Sequence, residues 1–159
     1  MSPLPPPSWV ERDETMLRRA IDVARDTPPA DVPVGAIIYD AAGVEIAHAH
    51  NRKETDGDPT AHAEILAIRD AVGVVGDGWR LEGCTLAVTL EPCAMCAGAI
   101  AASRINTVVF GAYEPKTGAC GSVIDVLRDP VLPGFTAVRG GVLEQPCAHL
   151  MEEFFSNLR

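Results

Sequence analysis

Positive charge is scarce in this chain. Lysine occurs only at Lys53 and Lys116, the rest of the 13 basic residues are arginine, and 22 acidic residues bring the formal net charge to −9. Indiscriminate affinity for polyphosphate comes from basic groups that displace counterions, so the balance disfavours a general DNA or RNA coat and leaves phosphate contacts to a few placed residues. No apolar run reaches membrane-spanning length. The first eight residues, MSPLPPPS, have neither the basic start nor the apolar core of a signal peptide. The expectation is a proline-rich arm over 1–8 and one domain over 9–159, located in the cytoplasm. In that reducing setting five cysteines do not read as a disulfide framework, and a Cys-x-x-Cys pair reads as metal-binding or redox. There is no internal repeat.

An apolar fraction of 47% over 159 residues is enough to bury one core. Over 9–25, Val10, Met16, Leu17, Ala20, Ile21 and Ala24 recur mostly at helical spacing, and Thr27-Pro28-Pro29 ends that helix. The runs 34–39 and 44–50, with a turn at Ala42-Gly43, predict a hairpin. A polar loop over 51–60 leads into a helix over 61–71, closed by Gly73, Gly76 and Gly78. A strand over 84–90 is broken by Glu91-Pro92 before a small-residue helix over 93–102. Then come a strand over 107–110, a glycine-containing loop over 116–121, a helical turn over 123–127, a weak strand over 136–139 and a final helix over 144–158. A hairpin followed by alternating helix and strand implies an α/β fold, a mixed sheet with helices on both faces.

Two helix starts carry unusual chemistry, Ala61-His62-Ala63-Glu64 and Pro92-Cys93-Ala94-Met95-Cys96. In an α/β sheet, ligand sites form beyond the carboxyl ends of the strands, where helix N-termini present free N–H groups. Cys93 and Cys96, three apart, share a helix face, and their thiolates suit a soft or borderline metal. With His62 they make three ligands. A structural zinc site would bring a fourth Cys or His at similar spacing, and none is present; three protein ligands and a water is the catalytic arrangement, in which the metal acidifies that water. Glu64, two residues past His62, is placed to touch the water without binding the ion, as a general base and acid does. Taken singly, a histidine at a helix start is a cap or a surface residue and a Cys-x-x-Cys pair is redox or incidental, but a redox reading leaves His62 and Glu64 unexplained.

The His-x-Glu and Pro-Cys-x-x-Cys pair resembles the signature of the zinc deaminases. Around it, VPVGA at 32–36, NR at 51–52, DPTAHAEI at 58–65, TLEPCAMCAGAI at 89–100, SRI at 103–105, VVFGA at 108–112 and KTGACGS at 116–122 are similar to the bacterial tRNA-specific adenosine deaminases. DPTAHAE is also found in guanine deaminases. The resemblance implies a cytidine deaminase-like fold, a three-layer α/β/α sandwich with a mixed five-stranded sheet. It also implies one zinc ion per subunit with a catalytic water as fourth ligand, a homodimer, and hydrolytic conversion of the wobble adenosine of a tRNA anticodon stem-loop, that of an arginine tRNA, to inosine and ammonia. By the same resemblance Asn51 hydrogen-bonds the target nucleoside, the Ala61 N–H is a second contact, Lys116 and its loop meet the anticodon backbone, and Phe155 and Arg159 stack on or clamp the anticodon loop. Cys84, Cys120 and Cys147 are assigned no chemistry. Two departures bear on the substrate: 131–137 reads VLPGFTA where many relatives carry Asn-His-Arg, and no basic tail follows the last helix. The competing readings are a deaminase of free guanine, cytosine or a triazine, and a structural-zinc binding module.

Overall fold

In the computed structural model, which describes residues 3–159, the chain forms α1 (Ser8–Arg25), β1 (Gly35–Tyr39), β2 (Glu45–His50), α2 (Lys53–Asp56), α3 (Ala63–Val75), β3 (Thr85–Leu90), α4 (Ala94–Ala102), β4 (Thr107–Ala112), β5 (Ala137–Arg139) and α5 (Glu144–Asn157). The expected arm over 1–8 lies partly outside the described residues. Residues 3–7 carry no regular structure, and Ser8 already opens α1.

The five strands make one sheet in the order β2-β1-β3-β4-β5. β1 pairs antiparallel with β2 and β3, while β3–β4 and β4–β5 are parallel, so the sheet is mixed as expected. Alternation along the central strands sorts the core into two layers. Ala36, Ile38, Leu86, Val88, Val108 and Phe110 pack with Ala63, Ala67 and Ile68 of α3 and Ala97 and Ile100 of α4. Ile37, Tyr39, Ala87 and Val109 face the other way, onto Leu17, Ala20 and Ile21 of α1 and Cys147 and Leu150 of α5. Strands buried on both faces read as continuous apolar runs, which is how β1, β3 and β4 look in the sequence. α1 lies so close over β1 that a Cβ at Gly35 would overlap the Ala20 carbonyl. Asp13 of α1, fully buried, is paired by both its oxygens with the Arg139 guanidinium, which fastens the short edge strand β5 to the opposite layer.

Three local expectations are corrected. The loop predicted over 51–60 contains the helix α2. Its cause lies 23 to 24 residues upstream, where Asp31 accepts hydrogen bonds from Glu54 N–H at 2.6 Å, Thr55 N–H at 3.2 Å and the Thr55 hydroxyl. The helical turn predicted over 123–127 is absent. There the backbone folds back on the preceding segment, with Val126 N–H donating to the Ala119 carbonyl at 2.8 Å and a bridge between Cys120 and Asp125. The second long helix begins at Ala63, not Ala61, and passes through Gly73 to end where Gly76 takes a left-handed φ of 72°.

Asp31 therefore positions the segment that leads to the site. Burial alone would raise its carboxyl group, but the Thr55 hydroxyl and the Glu54 and Thr55 N–H groups outweigh burial and hold it below its ordinary 3.8. A carboxylate with a depressed folded-state pKa contributes stability that is present above the unfolded-state value and lost as pH falls through the folded one. Asp31→Ala is expected to cost about 2 kcal/mol at neutral pH, a drop in Tm of about 6 °C for a chain of this size. Calorimetry across pH checks the cause: the gap between variant and wild type closes below pH 3.8, whereas a gap independent of pH would place the loss elsewhere.

Candidate active site

β1 and β3 are antiparallel and β3 and β4 parallel, so Gly35, His50, Leu90 and Ala112 come together at one end of the sheet. α3 and α4 both start there. N-caps are ordinarily Ser, Thr, Asp or Asn, whose side chains accept the first free N–H groups. Here the N-caps are His62 (φ −72°, ψ 152°) and Cys93 (φ −74°, ψ 176°), and neither side chain caps its own helix. They face each other instead. His62 Nδ1 lies 3.7 Å from Cys93 Sγ and 3.5 Å from Cys96 Sγ, the latter one turn into α4. The three donor atoms lie within 4.8 Å of one another, the single group of its kind among the described residues. Tetrahedral zinc, with Zn–S near 2.3 Å and Zn–N near 2.0–2.1 Å, holds such atoms about 3.5–3.8 Å apart, so donor set and spacing both fit that ion.

The three donors are electrostatically coupled, with Cys93 the one poised as a thiolate and its neighbours holding their protons. The Cys93 thiol is lowered to about 3, first by the hydrogen bond from Cys96 and, against burial, by His62. Cys96, holding the shared proton and buried, is pushed up. The Cys93 thiolate is also the main reason that His62 is raised. Glu64 is buried, 5% exposed, beside the Cys96 thiol. Its carboxyl group is raised, chiefly by burial and against the pull of its own backbone N–H and of His62. A carboxyl group tuned upward next to a metal-binding set can both take and return a proton near neutral pH.

These groups open onto a cavity of about 250 Å³ lined by Val32, Val34, Asn51, Lys53, His62, Ala63, Glu64, Leu90, Glu91, Cys93, Glu114, Thr117, Met151 and Phe155. Of the residues named from the sequence, Glu64, Asn51 and Phe155 reach it together with the His62 and Cys93 side chains, and Cys96 lies behind them, fully buried. Half of the Asn51 amide is engaged in structure: Nδ2 donates to the Val32 carbonyl at 3.1 Å and Oδ1 accepts Lys53 N–H at 3.2 Å. One donor and one acceptor site remain. The Ala61 N–H is not free, because the helix starts two residues later than predicted and this N–H donates to the Asp58 carbonyl at 3.1 Å; it is Ala63 that lines the cavity. Lys116 is exposed and outside the wall, although its neighbour Thr117 is part of it. Arg159 is likewise exposed and off the wall, beyond the end of α5. Cys84, Cys120 and Cys147 are free and buried in the two cores, and burial pushes the Cys120 and Cys147 thiols up to about 12.

Sequence reasoning missed Lys53, the one cation on the wall, and Glu91, which it read only as the end of a strand. Lys53 carried the signal of being one of two lysines. Glu91 carried none, since its burial and its partners depend on a loop more than 20 residues away.

The comparisons with known proteins agree with this geometry. The family described as the cytidine and deoxycytidylate deaminase zinc-binding region matches residues 10–112. The tRNA-specific adenosine deaminase of Bacillus subtilis (strain 168) is 44% identical over 149 residues, covering 93% of this chain and 91% of that protein. A structure from studies of A-to-I editing by tRNA:A34 deaminases at the wobble position of transfer RNA superposes with a TM-score of 0.80 at 38% identity, over 86% of this chain and 98% of that one. The guanine deaminase of Nitrosomonas europaea, at 24% identity, a TM-score of 0.72 and coverage of 98% and 97%, shares the fold. With its donor triad, its buried glutamate and its similarity along nearly the whole length, the chain belongs to the tRNA-specific adenosine deaminase family of zinc-binding deaminases.

Proposed function

We propose that this enzyme hydrolytically deaminates adenosine to inosine at the wobble position of a tRNA anticodon, with an arginine tRNA as substrate and ammonia as the second product. The observation that carries the reaction is the buried Glu64 beside the His62, Cys93 and Cys96 donors, at the floor of a cavity sized for one base. What supports the RNA substrate is the 44% identity to a tRNA-specific adenosine deaminase across 93% of the chain. A cavity of about 250 Å³ cannot take a stacked anticodon, so the target base leaves its stack to enter. We further propose a homodimer acting in the cytoplasm.

His62 Nδ1, Cys93 Sγ and Cys96 Sγ would hold the zinc ion. When bound, the ion supplies a Lewis-acid centre that lowers the pKa of a water molecule towards neutrality. Glu64 takes a proton from the attacking water and delivers it to the adenine ring nitrogen; it then takes the second proton from the new hydroxyl on C6 and passes it to the amino group as the C–N bond breaks and the carbonyl forms, so one carboxyl group serves as base and as acid. Asn51 offers its remaining donor and acceptor to the nucleoside. Phe155, half exposed on the cavity rim, provides a face for a neighbouring base. Lys53 is the cation placed to meet a phosphate.

Glu64→Ala should retain stoichiometric zinc and lose activity by at least about 10³-fold, while Cys93→Ser should lose both zinc and activity. A Glu64→Ala protein with wild-type turnover would reject the assignment. The substrate is tested by incubating the purified enzyme with an arginine-tRNA anticodon stem-loop and, separately, with free guanine, cytosine and adenosine, following inosine and ammonia. Inosine in the stem-loop is the expected product; ammonia from a free base with none from RNA would replace the RNA reading.

The metal carries its own pH dependence. His62 must be neutral to bind, and its pKa is raised above the ordinary 6.5, so protons compete for Nδ1 as pH falls. Zinc retained after dialysis against a chelator, measured by atomic absorption, is therefore expected to be lower at acid than at neutral pH, and His62→Ala should fail to hold stoichiometric zinc at either. A His62→Ala protein that keeps stoichiometric zinc would exclude His62 as a ligand.

A further inference from the structure

Glu91 is 2% exposed and sits two residues before Cys93, at the back of the cavity. It has no cationic partner among the described residues. Its carboxylate is instead saturated by backbone donors from one loop: Oε2 accepts Glu114 N–H at 3.0 Å, and Oε1 accepts Cys120 N–H at 3.1 Å and Ser122 N–H at 3.0 Å. Around this anchor the loop is clamped onto the start of α4. Ala119 N–H donates to the Pro92 carbonyl at 2.9 Å, and Gly118 bridges to Cys93. Gly118 is packed so tightly that a Cβ there would overlap Glu91 Oε2, Ser122 Oγ and the Glu114 carbonyl. The same loop supplies Glu114 and Thr117 to the cavity wall.

We propose that Glu91 is a positioning residue for substrate binding: its carboxylate fixes the 114–122 loop as one wall of the base cavity, in register with the Cys93 end of α4. A buried carboxylate is suited to this because it accepts three or four hydrogen bonds and donates none. A glutamine in its place has one acceptor oxygen, and its amide nitrogen meets an N–H donor head-on, so at least one of the three backbone anchors is orphaned. The loop then loosens while the metal donors, fixed by α3 and α4, stay where they are. The inference rests on the deaminase reading of the site, since the cavity is taken as the place where the base binds.

The test compares wild type, Glu91→Gln and Gly118→Ala for zinc content, kcat, KM and amide hydrogen exchange, using whichever of the stem-loop and free-base substrates the wild type turns over. Absence of RNA turnover by the wild type thus bears on the proposed substrate alone. For Glu91→Gln the expected result is wild-type zinc, kcat within about twofold, KM raised on the order of tenfold, and faster exchange at the Glu114, Cys120 and Ser122 amides. Gly118→Ala, whose Cβ would press on the Glu91 carboxylate and on the loop that it holds, should give the same KM effect, and the double variant should be no worse than the more affected single one. A lower Tm with unchanged KM and unchanged exchange would reduce Glu91 to a packing residue. Lost zinc, or a fall in kcat with KM unchanged, would overturn the proposal in favour of a role at the metal donors or Glu64.

Discussion

Three donor atoms from two helices lie within 4.8 Å of one another because α3 and α4 begin at the same end of one sheet. That closeness is set by strand register. Ala36 opposite Val88 and Leu90 opposite Ala112 bring the end of the β1–β2 hairpin level with the ends of β3 and β4. A slip of one residue would turn every side chain of a strand to the opposite face. Such a slip is costly here, because Leu86, Val88, Val108 and Phe110 fill one core while Ala87 and Val109 fill the other. Hydrophobic burial on both faces thereby fixes a metal-binding geometry to which it contributes no ligand.

Around that framework, the segments that shape the cavity are held by single buried acceptors that collect backbone N–H groups. Asp31 gathers the start of α2 and Glu91 gathers the 114–122 loop. The Thr89 hydroxyl oxygen accepts Gly35 N–H at 3.2 Å and ties the entry of β1 to β3. These braces share a logic: an N–H left unpaired in the interior costs more than a hydrogen bond gains, so each acceptor forbids the displacement of its segment. The two helix starts at the site follow the opposite rule. His62 and Cys93 occupy positions where a capping side chain would stabilise the helix, and their side chains serve the donor group instead.

The architecture and the donor group were legible because they depend on patterns local to each segment. Helical spacing of Leu17, Ala20, Ile21 and Ala24, continuous apolar runs at β1, β3 and β4, and two motifs at helix starts each carry their meaning within a dozen residues. What the sequence concealed depends on distant partners. α2 exists because of Asp31, more than 20 residues upstream, and a reader of 51–60 alone sees only a polar stretch. Val123 and Ile124 suggested a helical turn, but the backbone there pairs with Ala119 and Cys120 instead. The Ala61 N–H looked free only while the helix was taken to start two residues early.

The acid excess of the chain has particular places in the structure, and these decide how it bears on an RNA substrate. Glu45, Asp56, Asp125 and Asp13 are paired with Arg19, Arg52, Arg128 and Arg139, which leaves the net charge of −9 unchanged but screens those four carboxylates locally. On the cavity wall Glu91 is occupied by three N–H groups, and one Glu114 oxygen accepts Lys116 N–H at 2.9 Å. Among the described residues Lys53, Lys116 and Arg159 carry no ion pair, and Lys53 stands directly on the wall. An enzyme so charged cannot hold a polynucleotide by counterion release along a broad surface. Under the proposed function its selectivity has to come from the cavity, whose wall Asn51, Phe155 and the 114–122 loop residues Glu114 and Thr117 help to form. That arrangement suits a substrate recognised at one nucleotide in a folded loop, and it makes the shape of the cavity wall, more than total charge, the determinant of what enters.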